Sequence, residues 1–284
     1  MPRPARATQL DSCEQARSHM GVASIRLPTF GSPVQLSRVF PFMLVLLLAV
    51  ASGQAQITET PVTVRPGRFL LEMDAVSLSV DKEAGLKYTA LGVASTFLTA
   101  GLSQNWDVQF GAQLYYSQRI ESTGFSESDS GVGDMYVRTK WRFYDAGDTA
   151  VAVMPYVKLP TKSDRVGSDA LEGGVIVPWT TVLPGGFQIC AMGELDLVRN
   201  DADDGYDTFW LTAMSMSRPI TSFLGLYGEA TYGKSTGGAP AQGIMGVGAT
   251  LHVRESIWWD YGMYKGLSKG AKDWEYVLRF NWGF

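Results

Sequence analysis

The sequence predicts an all-β fold, a transmembrane antiparallel up-and-down β-barrel of about 12 strands preceded by a cleaved signal peptide. Three observations support this fold class. Apolar and polar residues alternate along successive segments, long and short connections alternate between those segments, and an apolar run precedes them all. The 284-residue chain is also 12% aromatic and contains 31 Gly, a composition typical of β proteins whose rings lie at a membrane interface.

The apolar run is VFPFMLVLLLAVASGQAQ, which follows Arg38 and ends in small residues. It is too short to cross a bilayer as a helix, and it has the length and the small-residue ending of a secretory signal. We expect cleavage near Ala55. The stretch before the run is longer than a normal n-region, which favours a translation start at Met20.

These boundaries divide the chain into three parts. Residues 1–55 are predicted to be an N-terminal extension and signal peptide, residues 56–67 a periplasmic linker, and residues 68–284 the barrel. The formal net charge is −4, and loss of the leader removes more basic than acidic residues, so nucleic acid is excluded as a partner. Cys190 is the only cysteine after the leader, so no intrachain disulfide is expected there.

The alternating segments are divided by clusters of Gly, Asp, Ser and Pro. Strands are predicted near residues 68–80, 88–102, 106–120, 131–145, 149–160, 171–182, 186–199, 206–218, 222–235, 242–254, 256–266 and 272–284. The connections SQN, DAGD, PG, PIT and RES are tight, whereas DKEAGLK, ESTGFSESDS, TKSDRVGSDA, DADDGYD, TGGAPAQ and LSKGAK are longer and polar. Strict alternation of the two kinds predicts periplasmic turns at one end and extracellular loops at the other.

Alternation is clearest in WDVQFGAQLYYS, where Trp106, Phe110 and Leu114 face one way and Asp107 and Gln109 the other. Lipid outside and a polar lumen inside explain both sets. A soluble sandwich would reverse the two faces, and alternation by itself does not distinguish them. The leader, the loop pattern and the C-terminus favour the membrane.

The chain ends on WEYVLRFNWGF, with large apolar residues at every second position before a terminal Phe. This pattern is similar to the signal by which outer-membrane assembly machinery selects barrels. The predicted signal residues are Tyr276, Leu278, Phe280, Trp282 and Phe284. They imply the bacterial outer membrane as the location, and outer-membrane lipids and the assembly machinery as partners.

The stretch SGVGDMYVRTKWRFYD, followed by AVAVMPYVKLPT, resembles the outer-membrane family named for the meta-pathway of phenol degradation, many of whose members are labelled transporters. The resemblance extends over about residues 88–284 and is strongest at 130–162. It implies an outer-membrane barrel, often encoded with aromatic catabolism. The family has no agreed catalytic residues to transfer.

The sequence contains no convincing motif for catalysis or for cofactor binding, and no metal, nucleotide or other cofactor is expected. Gly228, Gly233, Lys234 and Ser235 match the phosphate-binding loop G-x-x-x-x-G-K-S/T, but they fall in an alternating strand rather than before a helix, which indicates a chance match. The acidic loop DADDGYD lacks the spacing of a calcium loop. The only His after the leader, His252, has no recognisable nucleophile, so the protein is predicted not to be an enzyme.

The polar face of the strands gives the candidate lumen. The predicted lining residues are Asp107, Tyr115, Arg138, Lys140, Arg142, Tyr156, Lys158, Glu194, Asp196, Tyr227, Glu229, His252 and Arg279. Their charges either set up a transverse field for polar solutes or pair and seal the interior. The predicted function is a channel for passive uptake or efflux of small solutes, including aromatic or hydrophobic ones. The alternatives are a plugged barrel with a structural or ligand-binding role and, less favoured, a lipid hydrolase.

Overall fold

A computed structural model of the chain describes residues 57–161, 166–200, 202 and 204–284, so the predicted leader and its cleavage site lie outside the described residues. The strands are β1 (Phe69–Glu83), β2 (Leu86–Ser103), β3 (Trp106–Ser122), β4 (Phe125–Gly131), β5 (Met135–Ala146), β6 (Thr149–Leu159), β7 (Glu172–Leu183), β8 (Phe187–Arg199), β9 (Tyr206–Pro219), β10 (Leu224–Ser235), β11 (Gln242–Arg254), β12 (Ile257–Gly266) and β13 (Trp274–Gly283). The part of the chain so described contains no helix long and apolar enough to cross a membrane.

The strands form one closed antiparallel barrel. Each strand pairs with its sequence neighbours except β4 and β5, which both pair with β3, and β1 pairs with β13 to close the sheet. Although the sheet contains 13 strands, β4 and β5 pair with the upper and lower parts of β3 and so share one position in the wall. The predicted barrel of about 12 strands is therefore confirmed.

Two connections predicted to be long polar loops are tight hairpins instead. β1 and β2 are joined through Ala84 and Gly85, which have φ angles of 50° and 81°. β3 and β4 meet at Thr123 and Gly124, the latter with φ of 78°. Positive φ is what two-residue hairpins require, and it allows the ladder to continue past the predicted strand ends.

The wall is consequently uneven in height. β2 and β3 contain 18 and 17 residues, whereas β12 and β13 contain 10 each. Near the periplasmic end, Trp282 of β13 pairs with Leu71 of β1, and Leu71 pairs with Leu98 of β2, so these three residues define a common level for comparing the strands. Counted from that level, the extra residues of β2 and β3 extend these strands at both ends, toward the extracellular and the periplasmic side.

The apolar face of the wall points outward, as predicted. On β3, Trp106 and Phe110 are 49% and 56% exposed, while Asp107 and Gln109 are 1% and 4% exposed. Because a soluble fold would bury the apolar set, this orientation requires lipid around the barrel. The interior is correspondingly polar.

A bulge reverses this alternation across the first three strands. Ala94 of β2 has a left-handed φ of 55°, and β1 shifts its register with β13 between Asp74 and Val76. Above the bulge, Tyr115 of β3 pairs with Val93, and Gly92 with Tyr116. Gly92 and Tyr116 line the lumen, whereas Tyr115 is 42% exposed. The prediction that Tyr115 faces the lumen is therefore wrong, since the left-handed residue exchanges the two faces.

The C-terminal strand closes the barrel at its periplasmic rim. The backbone N–H of Phe69 donates to the carbonyl of Phe284 at 2.8 Å, and the N–H of Phe284 donates back at 2.9 Å. Their rings stack with centroids 5.5 Å apart. Five residues further along the seam, Arg279 Nε lies 2.6 Å from Asp74 Oδ1, so an ion pair also joins β13 to β1.

Candidate functional site

The barrel encloses a cavity of about 320 Å³, at the low end of the roughly 300–1,000 Å³ typical of ligand pockets. Side chains from most strands and from the segment before β1 line it. Of the residues predicted from sequence, the structure places Asp107, Arg138, Lys140, Tyr156, Glu194, Asp196 and Arg279 at this cavity. Arg142, Lys158, Tyr227, Glu229 and His252 lie elsewhere, for reasons that differ from residue to residue.

The segment before β1 enters the lumen from the periplasmic side. Thr63 Oγ1 donates to the carbonyl of Gln104 at 2.9 Å, in the turn before β3. The N–H of Val64 donates to Asp107 Oδ2 at 3.1 Å. From there the chain runs deeper into the barrel as far as Ile57, the first described residue.

The inner end of this segment lies against the opposite wall. The N–H of Thr58 donates to Glu229 Oε1 at 2.6 Å, and its hydroxyl contacts the same oxygen. The side chain of Ile57 packs on a small apolar cluster, which consists of Met154, Ile176, Met192, Leu211 and Ala213. Glu229 is therefore satisfied by the N-terminal segment instead of facing an open lumen.

These contacts correct the prediction that residues 56–67 form a periplasmic linker. Buried carboxylates and cations require partners, and the polar segment TETP supplies them. We call the described part of this segment, residues 57–67, the N-terminal segment. It fills part of the lumen and narrows the cavity that remains.

Glu59 is the central charged residue of the N-terminal segment. Arg138 Nη1 lies 2.9 Å from its Oε1, and Lys140 Nζ lies 3.7 Å from its Oε2. Burial raises the pKa of Glu59, but Lys140 and Arg138 lower it by more, so the net pKa lies below its usual value. Glu59 is therefore a carboxylate held between two cations projected from β5.

Aromatic rings surround Arg138 on the same wall. Its guanidinium carbon lies 4.0 Å from the ring centroid of Phe97, 5.5 Å from that of Tyr136 and 5.7 Å from that of Tyr156. The rings are in sequence along the wall, with centroids 5.9 Å apart for Phe97 and Tyr136 and 6.4 Å apart for Tyr136 and Tyr156. Cation–π contacts of this kind hold a guanidinium in a fixed position.

The acidic side of the cavity begins next to these rings. Tyr156 donates its hydroxyl to Asp196 Oδ1 at 2.6 Å, and Glu194 lies two residues away on the same face of β8. Both carboxylates are largely buried and line the cavity. A basic, a ring-lined and an acidic region therefore follow one another around the lumen.

Lys158 is buried away from the cavity in a cluster below the extracellular loops. Its Nζ lies 2.7 Å from Asp134 Oδ2 and 3.0 Å from Glu172 Oε2. Asp134 also accepts the N–H of Ser168 at 2.8 Å, and Glu172 accepts the N–H of Arg199 at 2.8 Å. The prediction that Lys158 lines the lumen is wrong because these carboxylates enclose it.

Tyr227 is buried in the wall because a glycine on the next strand makes room for its ring. Residues 227 and 248 are paired neighbours on β10 and β11, and a Cβ atom at Gly248 would overlap the Tyr227 ring. Gly246 stands in the same relation to Tyr264, and Gly111 to Phe97. Tyr227 is thus a packing residue, and these glycines provide close packing rather than open space.

Two further predicted residues lie near the periplasmic turns. Arg142 donates from Nη2 to the carbonyl of Gln104 at 2.7 Å. His252 is exposed near the β11–β12 turn, with its ring centroid 6.0 Å from that of Trp258. Neither residue lines the cavity described above.

The phosphate-loop match lies within β10, as the alternation predicted. Lys234 Nζ donates to the carbonyl of Ala239 at 2.6 Å, and Gly233 is paired with Leu211 inside the sheet. A strand presents no cluster of free N–H groups to a phosphate. Across the described residues, no group of three or more His, Cys, Asp or Glu side chains is arranged to hold a metal ion.

Sequence reasoning missed several residues of the site. Tyr136 shares the inward face of Arg138 by simple alternation, so the period itself identifies it. Phe97 could not be placed because the bulge at Ala94 breaks the period. Glu59 carried only a weak signal, an acidic residue beside a set of basic residues that need partners.

The solved structures with a similar fold include several outer-membrane proteins. An outer membrane channel from Pseudomonas putida F1 is 12% identical, with a TM-score of 0.59 over 82% of this chain and 100% of that chain. The NanC porin is 10% identical, with a TM-score of 0.49 over 75% and 98% of the two chains. The CymD monoaromatic hydrocarbon channel is 7% identical, with a TM-score of 0.44 over 78% and 88%.

The first of these supports the fold. Together with the apolar outer band, this fold assigns the protein to the bacterial outer membrane. No curated protein sequence matches the chain. A family model does match, over residues 52–283, and the chain belongs to the family described as "Putative MetA-pathway of phenol degradation".

Proposed function

We propose that the barrel is a channel for passive movement of small solutes across the outer membrane, and that aromatic compounds are among them. The observation that supports this proposal is the cavity of about 320 Å³ lined by charged and aromatic side chains. A barrel with a purely structural role has no need of such a cavity, since small barrels fill their interior with side chains. The family description, with its phenol degradation pathway, supports aromatic solutes.

The second candidate function is a plugged barrel that binds a ligand or serves a structural role. The N-terminal segment supports it, because Thr58 and Glu59 join opposite walls of the lumen. The two functions differ in whether the segment leaves its position. A channel requires that it move or that solute pass beside it, while a plugged barrel keeps it in place.

We further propose that the protein is not an enzyme. Its similar structures include channels and porins. Within the described part of the chain, no Ser or Thr hydroxyl makes a hydrogen bond with the exposed imidazole of His252. A hydrolase nucleophile needs such a base beside it. A lipid hydrolase would lose its turnover of phospholipid in the His252→Ala variant, and unchanged turnover would dismiss this residue as a catalyst.

The deciding experiment is single-channel recording in planar bilayers. The channel proposal predicts discrete conductance steps for the native protein or, if the segment blocks it, for the Glu59→Gln variant. Neutralising Arg138 and Lys140 together should shift the ratio of cation to anion permeability toward cations. Absence of conductance at every voltage from the native protein and from Glu59→Gln would reject the channel and leave the plugged barrel.

Partners follow from the same proposal. Outer-membrane lipids surround the exposed apolar band, and we propose that a small solute enters the cavity. We propose the barrel assembly machinery as a transient partner that recognises the C-terminal strand. The outward residues of that strand, among them Leu278, Trp282 and Phe284, are partly exposed and accessible to such a partner.

A further inference from the structure

We propose that Arg138 and Lys140 form a binding site for aromatic monocarboxylates, and that Glu59 occupies this site as an internal substitute for the ligand carboxylate. This inference rests on the proposed channel function and names the class of solute that its lumen selects. Three features of the site support it: the charges around Glu59, the rings around Arg138, and an unused hydrogen-bond donor.

The first feature is a carboxylate already bound where the proposed ligand would place its own. The two oxygens of Glu59 are divided between Arg138 at 2.9 Å and Lys140 at 3.7 Å. Both basic side chains are more than nine-tenths buried, while the Glu59 side chain is 28% exposed toward the cavity. The cations are fixed in the wall, whereas the carboxylate arrives on a segment that enters from outside the sheet.

The second feature is the aromatic surface beside those cations. Phe97, Tyr136 and Tyr156 all line the cavity and all lie within 5.7 Å of the Arg138 guanidinium carbon. A flat ring entering the cavity finds aromatic faces and edges at this wall, against which offset or edge-to-face contact is favourable. A carboxylate attached to that ring would then lie near Arg138 and Lys140.

The third feature is that Glu59 leaves part of the site unused. Arg138 Nε is buried without a hydrogen-bond partner among the described residues, and the Lys140 contact is long for an ion pair. Arg binds carboxylates best through two parallel N–H donors. A free carboxylate is not restrained by a chain segment, so it can adopt the two-donor geometry that Glu59 does not reach.

The charge of the lumen favours exchange over simple addition. Asp107 and Asp196 also line the cavity, so an extra anion would meet repulsion. Replacement of Glu59 by another carboxylate leaves the number of charges at the cations unchanged. A neutral phenol or benzyl alcohol cannot make this exchange, because it brings no charge to Arg138 and Lys140.

The test is calorimetric titration of the purified, detergent-solubilised full-length barrel with benzoate, and with benzyl alcohol as the uncharged comparison. Benzoate can bind only while Glu59 is out of the site. The apparent affinity for benzoate is therefore the intrinsic affinity multiplied by the fraction of time that the site is vacant. If Glu59 occupies the site about 90–99% of the time, the Glu59→Gln variant should bind benzoate about 10- to 100-fold more tightly than the native barrel. Benzyl alcohol should show no such gain.

Two further variants complete the design. Glu255→Gln removes a carboxylate at the exposed β11–β12 turn and should leave benzoate affinity unchanged. Arg138→Met in the Glu59→Gln background should abolish benzoate binding, with folding verified by the altered gel mobility of an unheated barrel. If that double variant does not fold, Lys140→Met in the same background, with an expected loss of at least about tenfold, takes its place.

The outcomes separate this inference from the channel proposal. Equal benzoate affinity in native and Glu59→Gln barrels, or equal gains for benzoate and benzyl alcohol, would overturn the carboxylate site even if both proteins conduct ions. Conversely, absence of conductance together with a Glu59-dependent benzoate affinity would reject the channel and keep the site. Binding in detergent does not require transport, so neither result depends on the other.

Discussion

Lys158 and Asp134 form a buried ion pair with Nζ and Oδ2 2.7 Å apart, and each side chain is at most 1% exposed. Asp134 ends the Gly-Val-Gly-Asp stretch, and Lys158 begins Lys-Leu-Pro-Thr. The two halves of the sequence pattern that identified the family thus meet in space. With the N–H of Ser168 bound to Asp134, the pair fastens the later part of the β6–β7 connection to the barrel wall.

Loss of this pair should destabilise the barrel. In Lys158→Met, two buried carboxylates lose their cation, and we expect the free energy of unfolding to fall by about 3–5 kcal/mol. The control is Lys87→Met, which removes an exposed pair with Glu121 and should cost at most about 1 kcal/mol. Urea unfolding in detergent, followed by tryptophan fluorescence, measures both. Equal losses would mean that Lys158 contributes no more than a surface residue.

Removal of the Glu59 carboxylate should release the N-terminal segment from β5. Arg138 and Lys140 hold it by charge, so Glu59→Gln should show a larger single-channel conductance or a longer open time than the native protein. Glu255→Gln serves as the matched control. A conductance identical in all three proteins would show that the segment does not limit passage.

The ion pairs of Glu59 with Arg138 and Lys140 should persist in mild acid. The pKa of Glu59 is lowered from 4.5, so the ion pairs are fully present above that pH and are lost as the pH falls through the lower value in the folded barrel. The ratio of Glu59→Gln conductance to native conductance should therefore stay constant from about pH 8 to pH 5 and approach one only below 4.5. A ratio that closes already near pH 6 would contradict the lowered pKa.

Close packing of Tyr227 on Gly248 should make that glycine sensitive to any side chain. In Gly248→Ala, the new Cβ overlaps the Tyr227 ring and the carbonyl oxygen of Tyr261, so we expect a loss of about 1–3 kcal/mol in unfolding free energy. Gly193→Ala is the control, because a Cβ there meets nothing within 4 Å. Similar stability of the two variants would show that the ring moves aside without cost.

The C-terminal residue should matter for assembly more than for the stability of the finished barrel. We expect Phe284→Ser to lower the amount of folded protein in outer membranes several-fold. Phe69→Ser removes the same ring stack from the other strand and should assemble at near-native levels. Immunoblots of unheated membrane fractions measure this difference. Equal loss in both variants would assign the effect to the stack rather than to a terminal signal.

Sequence periodicity predicted much of the fold because barrel walls obey a strict period of two. The inward positions of Arg138 and Lys140, and the pairing of Arg279 with Asp74 across the seam, follow from that period and from strand order. The prediction failed at Tyr115, because a single left-handed residue on a neighbouring strand exchanges the faces. No local pattern in β3 reports that change.

The contents of the lumen were harder to predict than the wall. Lys158 alternates with its neighbours like a lining residue, but only the folded chain brings Asp134 and Glu172 around it. Glu59 lies far in sequence from Arg138 and has no periodic pattern to mark it. When two contacting residues are far apart in the chain, the sequence around each of them does not show that they will meet.

The difference in strand length also makes the rim of the barrel uneven. β2 has eight more residues than β12, a difference on the order of 20 Å once the tilt of the strands is included. Part of this difference lies at the extracellular end, so the hairpins of β1 to β4 extend beyond the shorter strands β12 and β13, which adjoin β1 in the wall. A molecule that approaches from outside the cell would therefore contact these hairpins before it reaches the rim at β12 and β13.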